Sequence, residues 1–387
     1  MTTMRRDKTT MRRKAGFTLL ELMVSVSILV TVVGVALTML VDAQHAYEAV
    51  TDMADLQQNL RAAMLNMQRD IIQTAEALPA TGLPYPQGGT AKSIARPSPT
   101  SLTYNFPGPA ASSTLNDIVP GTAGAPSAEP GLTINGAVTD FVTMIYVDNS
   151  LIDGNTHQLN TFPIYQVATK ANPQACAGNI ATDGSTTTFD ANCINITGTN
   201  GIQPGDLIMY FNGTSYAIQT VSSVAGQVVT FTKGDAFNFN GMTAAATAGT
   251  LKQLQNGTAS PGGPYPPTTA ARVKMVTYWA DNKLNPNFPQ LMRQVNFNTA
   301  QPVADGIEDL QISYVISNSV NAALYGAAGV GNAKQPLGGD TPAQIREVNL
   351  FVAARSDNAY SVTGQFFRDN MINKVCVRSL SFVNRYN

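Results

Sequence analysis

Residues 17–41 are almost wholly apolar, and Glu21 is the only charged side chain among them. At ~1.5 Å rise per residue this run makes a helix longer than the ~30 Å hydrocarbon core of a bilayer. Beyond it the apolar positions thin out to Met53, Leu56, Leu60, Met64, Met67, Ile71, Ala75 and Leu78. Steps of three and four put these on one stripe of a helix. The opposite face is read as carrying Asp52, Asp55, Arg61, Gln68 and Asp70. No proline interrupts residues 17–78, Gly34 is the only glycine there, and Pro79 follows. The pattern predicts one helix of ~90 Å, with a membrane-competent part at 17–41 and an amphipathic part at 42–78 that ends at Pro79. A coiled-coil seam is the other reading of the stripe, although it spans little more than three heptads.

Past Pro79 the period changes. Residues 79–135 and 243–269 are rich in small and turn-forming residues, and read as loops with one or two short strands. Strand patterns fall at residues 141–147, 206–211, 216–221 and 227–232, with Asn212-Gly213 as a hairpin signal between the middle two. Denser ones follow at 272–279, 290–297, 307–316, 345–354 and 373–383. These predict an antiparallel sheet with an apolar face to cover, and the helical stripe is the natural cover. The fold class is therefore α+β: a long N-terminal helix packed on an antiparallel β-sheet head, residues 79–387, with β-rich insertions.

Composition alters the picture in two respects. The 387 residues carry a formal net charge of −1, but six basic side chains and Asp7 lie in residues 1–16. The remainder holds 18 basic against 24 acidic residues, a net −6. Such a chain lacks the basic footprint of a nucleic-acid binder. Charged residues are only 13% of the whole, which suits an extracellular loop-rich β domain better than a cytoplasmic enzyme.

Three cysteines are present. A Cys176–Cys193 bridge would close a short polar loop and contribute about 3 kcal/mol in an oxidising compartment. Cys376, in the alternating segment 374–378, is expected to face inward as a small hydrophobe. No cysteine has metal-site spacing, and neither His45 nor His157 belongs to a nucleophile or metal pattern. No cofactor or metal is implied. The glycine-rich run 326–331 follows no phosphate-binding pattern. Asp148 and Asp153 fall in an Asx-rich turn whose spacing does not fit an EF-hand, so a solvated turn is expected. Adjacent Glu308 and Asp309 would point to opposite faces of a strand, poor geometry for acid–base work on one substrate, and a capping or turning role is expected. Trp279, the only tryptophan, is expected in packing. Aromatics in 233–239 are too sparse for a single-stranded nucleic-acid platform.

The N-terminus carries the sharpest signal. A basic leader (Arg5, Arg6, Lys8, Arg12, Arg13, Lys14) precedes Gly16-Phe17-Thr18-Leu19-Leu20-Glu21. An acid at the centre of a membrane helix costs about 2.5–3.5 kcal/mol and less near an end, so Glu21 needs a partner. A secretory signal would have a shorter apolar region with its cut afterwards, for which 43–46 is the available site. Paired arginines touch on twin-arginine export, with a poor surrounding match. A plain signal anchor explains everything except Gly16 and Glu21. Met4 and Met11 are alternative starts. The basic leader is expected to stay cytoplasmic, with the remainder translocated.

Glycine, aromatic start, acid position and unbroken apolar run together resemble the processing site of type IV prepilins and pseudopilins. The resemblance implies cleavage between Gly16 and Phe17 by a prepilin peptidase, with N-methylation of Phe17. It also implies that Glu21, fifth in the mature chain, pairs with a neighbouring subunit's new N-terminal amine. The segments 304–314, 276–279 with 291–293, 345–356 and 375–378 resemble minor pilins of the PilW family. Cys376 and Ser379 depart from that family's closing strand. Implied partners are other minor pilins, the major pilin, the inner-membrane assembly platform and a large tip adhesin. The implied protein is a noncatalytic single-pass inner-membrane subunit later assembled into a surface pilus, at or near its tip. The J-type minor pseudopilin of type II secretion shares these features and stays open, as does the purpose of the filament: twitching, adhesion or DNA uptake.

Overall fold

The computed structural model describes residues 16, 18–79, 82–85, 95–98, 114–121, 133–134, 137–148, 162–164, 179–180, 186–188, 202–211, 215–225, 228–240, 249, 268–281, 288–317, 322–325, 342–361 and 363–381. The leader before Gly16, Phe17, His157, Cys176, Cys193 and the 326–331 run lie outside them, and so does the expected disulfide.

One helix, α1 (Leu19–Gln73), dominates the N-terminal part. Its buried side chains are Leu56, Leu60, Ala63, Met64, Met67, Asp70 and Ile71. Asp70 therefore belongs to the buried stripe, not to the polar face where its residue type had placed it. Its spacing from Met67 and Ile71 is that of the stripe itself. The helix also ends earlier than Pro79 suggests. Thr74 turns extended (ψ 141°), and Ala75 and Ala77 take positive φ of 64° and 57°. Left-handed alanine costs roughly 1–2 kcal/mol, so tertiary contacts hold this turn. The Ala75 N–H donates to the Ile145 carbonyl (3.0 Å) and the Val147 N–H to the Glu76 carbonyl (3.4 Å). The chain leaves the helix to extend a strand edge.

The head is built on two larger antiparallel sheets, where the sequence suggested one. The first has β1 (Ile118–Gly121), β2 (Phe141–Val147), β3 (Phe162–Ile164), β4 (Leu207–Phe211), β5 (Tyr216–Thr220), β6 (Thr268–Asp281), β7 (Gln290–Val295) and β8 (Gln301–Asp305). Long β6 is its spine. It pairs with β3 and β2 along one edge, and with β4 and β7 along the other. The second sheet has the order β10-β9-β11-β12, from β9 (Ile307–Ser317), β10 (Ala322–Tyr325), β11 (Ile345–Ala359) and β12 (Phe366–Cys376). A smaller four-stranded sheet joins Ser223–Ala225, Val228–Thr230, Thr186–Thr188 and Asn179–Ile180.

β2 reads FVTMIYV and is buried throughout, as its nearly continuous apolar run requires of a strand covered on both faces. Val142, Met144 and Tyr146 meet Val276 and Tyr278 of β6, Leu291 of β7, the α1 stripe and the inner face of the second sheet in one core. Ile145 and Val147 face the other way, into a core with Leu207, Met209, Ile218, Phe237 and Phe239. Burial of the last two removes them as stacking surfaces for bases. Trp279 is buried with Phe141 and Met292, as its packing role required.

The last strand begins at Phe366, not near 373, and stops at Cys376; Arg378–Ser381 forms a short helix, α2. Cys376 is exposed and free, because Val375 and Val377 take the inward positions beside it. Asp148 is no solvated turn residue either. It is buried, accepts from Arg272 Nε (2.8 Å) and pairs with Lys274 Nζ (2.8 Å).

Asp117, just before β1, is 3% exposed, and its Oδ1 has no hydrogen-bond partner among the described residues. Burial pushes its carboxyl up from the ordinary 3.8 to about 8. Between those values the folded chain holds a proton that the unfolded chain has released, so stability falls as pH rises and levels off above about 8. Asp117→Asn should remove most of that slope, worth on the order of 2–4 kcal/mol between pH 5 and 8. Urea denaturation midpoints at the two pH values check it, and an unchanged slope would show that Asp117 is not the titrating group.

Candidate functional site

The candidate site is the start of α1. Thr18 is extended (φ −76°, ψ 146°) and caps the helix, its Oγ1 accepting from the Glu21 N–H at 3.3 Å. Thr-x-x-Glu is the sequence form of a capping box, a signal the sequence reading passed over. Glu21 is in the first helical turn, where the helix dipole favours a negative charge, and its side chain is exposed. Gly16 is exposed, and a Cβ there would meet nothing within 4 Å. Packing among the described residues thus gives no reason for a glycine at position 16.

The apolar run has no cover of its own. Leu19 is 77%, Val30 65% and Met39 66% exposed, and none of the most apolar window is buried. A core helix of a soluble protein would be mostly covered. The hydroxyls in the run are satisfied internally: Ser25 Oγ donates to the Glu21 carbonyl (2.7 Å), Ser27 to Met23 (2.8 Å), Thr31 to Ser27 (2.9 Å) and Thr38 to Val35 (2.8 Å). That pattern is what a lipid environment demands of polar groups. Glu21 is left as the one strongly polar group with its carboxylate presented outward.

One further charge cluster positions the helix, and a second ties strands of the second sheet together. Asp70 Oδ2 accepts from Tyr278 OH (2.7 Å) and Arg293 Nε (2.7 Å), and Oδ1 from Tyr146 OH (3.2 Å). Arg293 also donates to both phenol oxygens, at 3.0 and 3.3 Å. Burial, then the Asp70 charge, raises both phenols far above their ordinary range. Burial is the largest influence on the Arg293 guanidinium and works against its charge, but the hydrogen bond to Asp70 and the electrostatic attraction of Tyr278, Asp70 and Tyr146 together outweigh it and raise it. The cluster ties α1 to β2, β6 and β7. Only its tertiary partners mark Asp70 as special.

Glu308 accepts from Arg368 Nε (2.8 Å) and lies 3.5 Å from Arg355 Nε, so it crosslinks β9 to β11 and β12 instead of capping a turn. Asp309 accepts from Gln311 Nε2 (2.8 Å), and burial raises its carboxyl. Gly306 before them has φ 71°, and a Cβ would lie 2.5 Å from the Arg355 carbonyl oxygen. Here the backbone itself requires glycine. Among the described residues, no group of three His, Cys, Asp or Glu side chains could hold a metal ion.

Residues 11–37 match the prokaryotic N-terminal methylation motif. No curated protein and no solved structure matches the chain.

Proposed function

From a methylation motif that marks a type IV pilin-like or pseudopilin chain, we propose that this protein is a noncatalytic minor pilin, incorporated at or near the tip of a type IV pilus. The observation that carries the reading is the coincidence of Gly16, Phe17 and Glu21 with an uncovered apolar helix. A prepilin peptidase cuts after Gly16, and the new amine of Phe17 is methylated. Residues 17–41 hold the subunit in the inner membrane with its head in the periplasm, then pack against like helices in the filament. Glu21 pairs with a neighbour's ammonium and sets axial register. The head at residues 79–387 is bulky for a slender shaft, which supports an initiating or capping place beside other minor pilins, the major pilin, the assembly platform and a large adhesin. Resemblance of residues 304–314 to the PilW family favours a pilus over a secretion pseudopilus.

Deletion in the native host tests the assignment. Surface pili should fall to a small fraction of the parental number while exoprotein release stays intact. Normal pili with lost release would transfer the protein to type II secretion as its J-type pseudopilin.

A further inference from the structure

The β11–β12 hairpin runs back along α1 toward the apolar run. Its turn is closed by Gly364 (φ 67°) and by the Tyr360 N–H donating to the Gln365 carbonyl (2.9 Å). At the tip, Ser361 Oγ lies 2.7 Å from His45 Nδ1 on α1. His45 is four residues past Val41, where the apolar run ends, or about 6 Å along the helix axis. The headgroup layer of one leaflet is roughly 5–7 Å thick. A helix that spans the bilayer with 17–41 therefore carries the hairpin tip to the lipid headgroups.

The side chains there suit that depth. Tyr360 and Phe367 pack ring to ring (5.5 Å), Phe366 lies under Arg355 (4.3 Å), and Tyr47 projects from the helix at 75% exposure. Tyrosines, with an apolar ring and a polar hydroxyl, concentrate at the headgroup level, and Tyr47 and Tyr360 are of that kind. Arg355 and Arg368 are committed to Glu308, while Asp42, Glu48, Asp357 and Asp369 are exposed nearby in sequence. Charge therefore does not favour an anionic surface.

We infer that the hairpin tip, through Tyr360, Ser361 and Thr363 to Gln365, rests on the zwitterionic headgroup layer of the membrane that α1 spans, giving the head a second point of contact with the bilayer. The inference rests on the spanning role of residues 17–41 but not on assembly into a pilus. It is a lipid-facing surface of the head, set at a fixed height by His45.

Depth-dependent quenching tests it on the full chain in phosphatidylcholine vesicles. Native Cys376, about 33 Å away at the other end of β12, carries a bimane label as the distant reference. Gln365→Cys in a Cys376→Ser background carries it at the tip, with label positions verified by peptide mapping. Lipid bearing a nitroxide on its headgroup should quench the tip probe at least threefold more than the Cys376 probe. His45→Ala should narrow that ratio, since the tip loses its contact with the helix. Equal quenching at the two positions, in chains that float with the vesicles, overturns the inference and leaves the spanning helix standing. Chains that fail to float overturn both together. A rise in tip quenching on adding phosphatidylglycerol would assign the surface to anionic lipid and overturn the zwitterionic choice.

Discussion

Glu21→Ala should yield a chain that is still cut after Gly16 and methylated at Phe17, as intact mass will show, yet is nearly absent from sheared filaments. Removing one partner of a buried ion pair strands the other, and the expected loss of incorporation is about two to three orders of magnitude. The capping box offers a competing role for Glu21, and Glu21→Gln separates the two. Glutamine serves a capping box as well as glutamate does, but cannot neutralise an ammonium. Pairing requires Glu21→Gln to fail like alanine. Wild-type incorporation of the glutamine chain would reduce Glu21 to a local helix-starting residue.

Asp70→Ala carries the second large effect. It leaves the Arg293 guanidinium without the carboxylate that holds it, and takes the acceptor from Tyr146 and Tyr278. Breaking a buried pair from one side typically costs 3–5 kcal/mol, a large fraction of the stability of an ordinary domain. Guanidinium denaturation midpoints of the head with residues 42–73 of α1 attached would read it. Replacing Asp70 and Arg293 together by apolar residues should recover much of the loss. A single-variant loss below about 1 kcal/mol would place this cluster with exposed ion pairs that contribute little.

The helix was legible because nothing in residues 17–73 contradicts it: no proline, a single glycine and an apolar period of three and four. Its end was not. Ala75 and Ala77 carry no mark of left-handed backbone, and the Ile145 and Glu76 hydrogen bonds that hold them are tertiary. Asp70 was misplaced because residue type outweighed spacing, although the 67–70–71 steps are those of the stripe. β2 was readable from its unbroken apolar run. The division of the remaining strands between two sheets was not, since period shows which residues point together but not which strands pair. Cys376 failed for a related reason: an alternating segment fixes two faces and leaves open which of them is outward. At the N-terminus the reverse holds. Gly16 and Glu21 make few contacts within their own chain, so the sequence pattern carries more information about them than the folded subunit does.

The two tethers on α1 have a mechanical consequence. Asp70 holds the helix within its buried stripe, and His45 meets the hairpin tip about 37 Å away, beyond a largely exposed stretch. A rod clamped at both places resists bending against the head. Tension applied to the apolar half is therefore delivered to the β scaffold as shear spread over both anchors, without peeling the helix away from its first exposed turn.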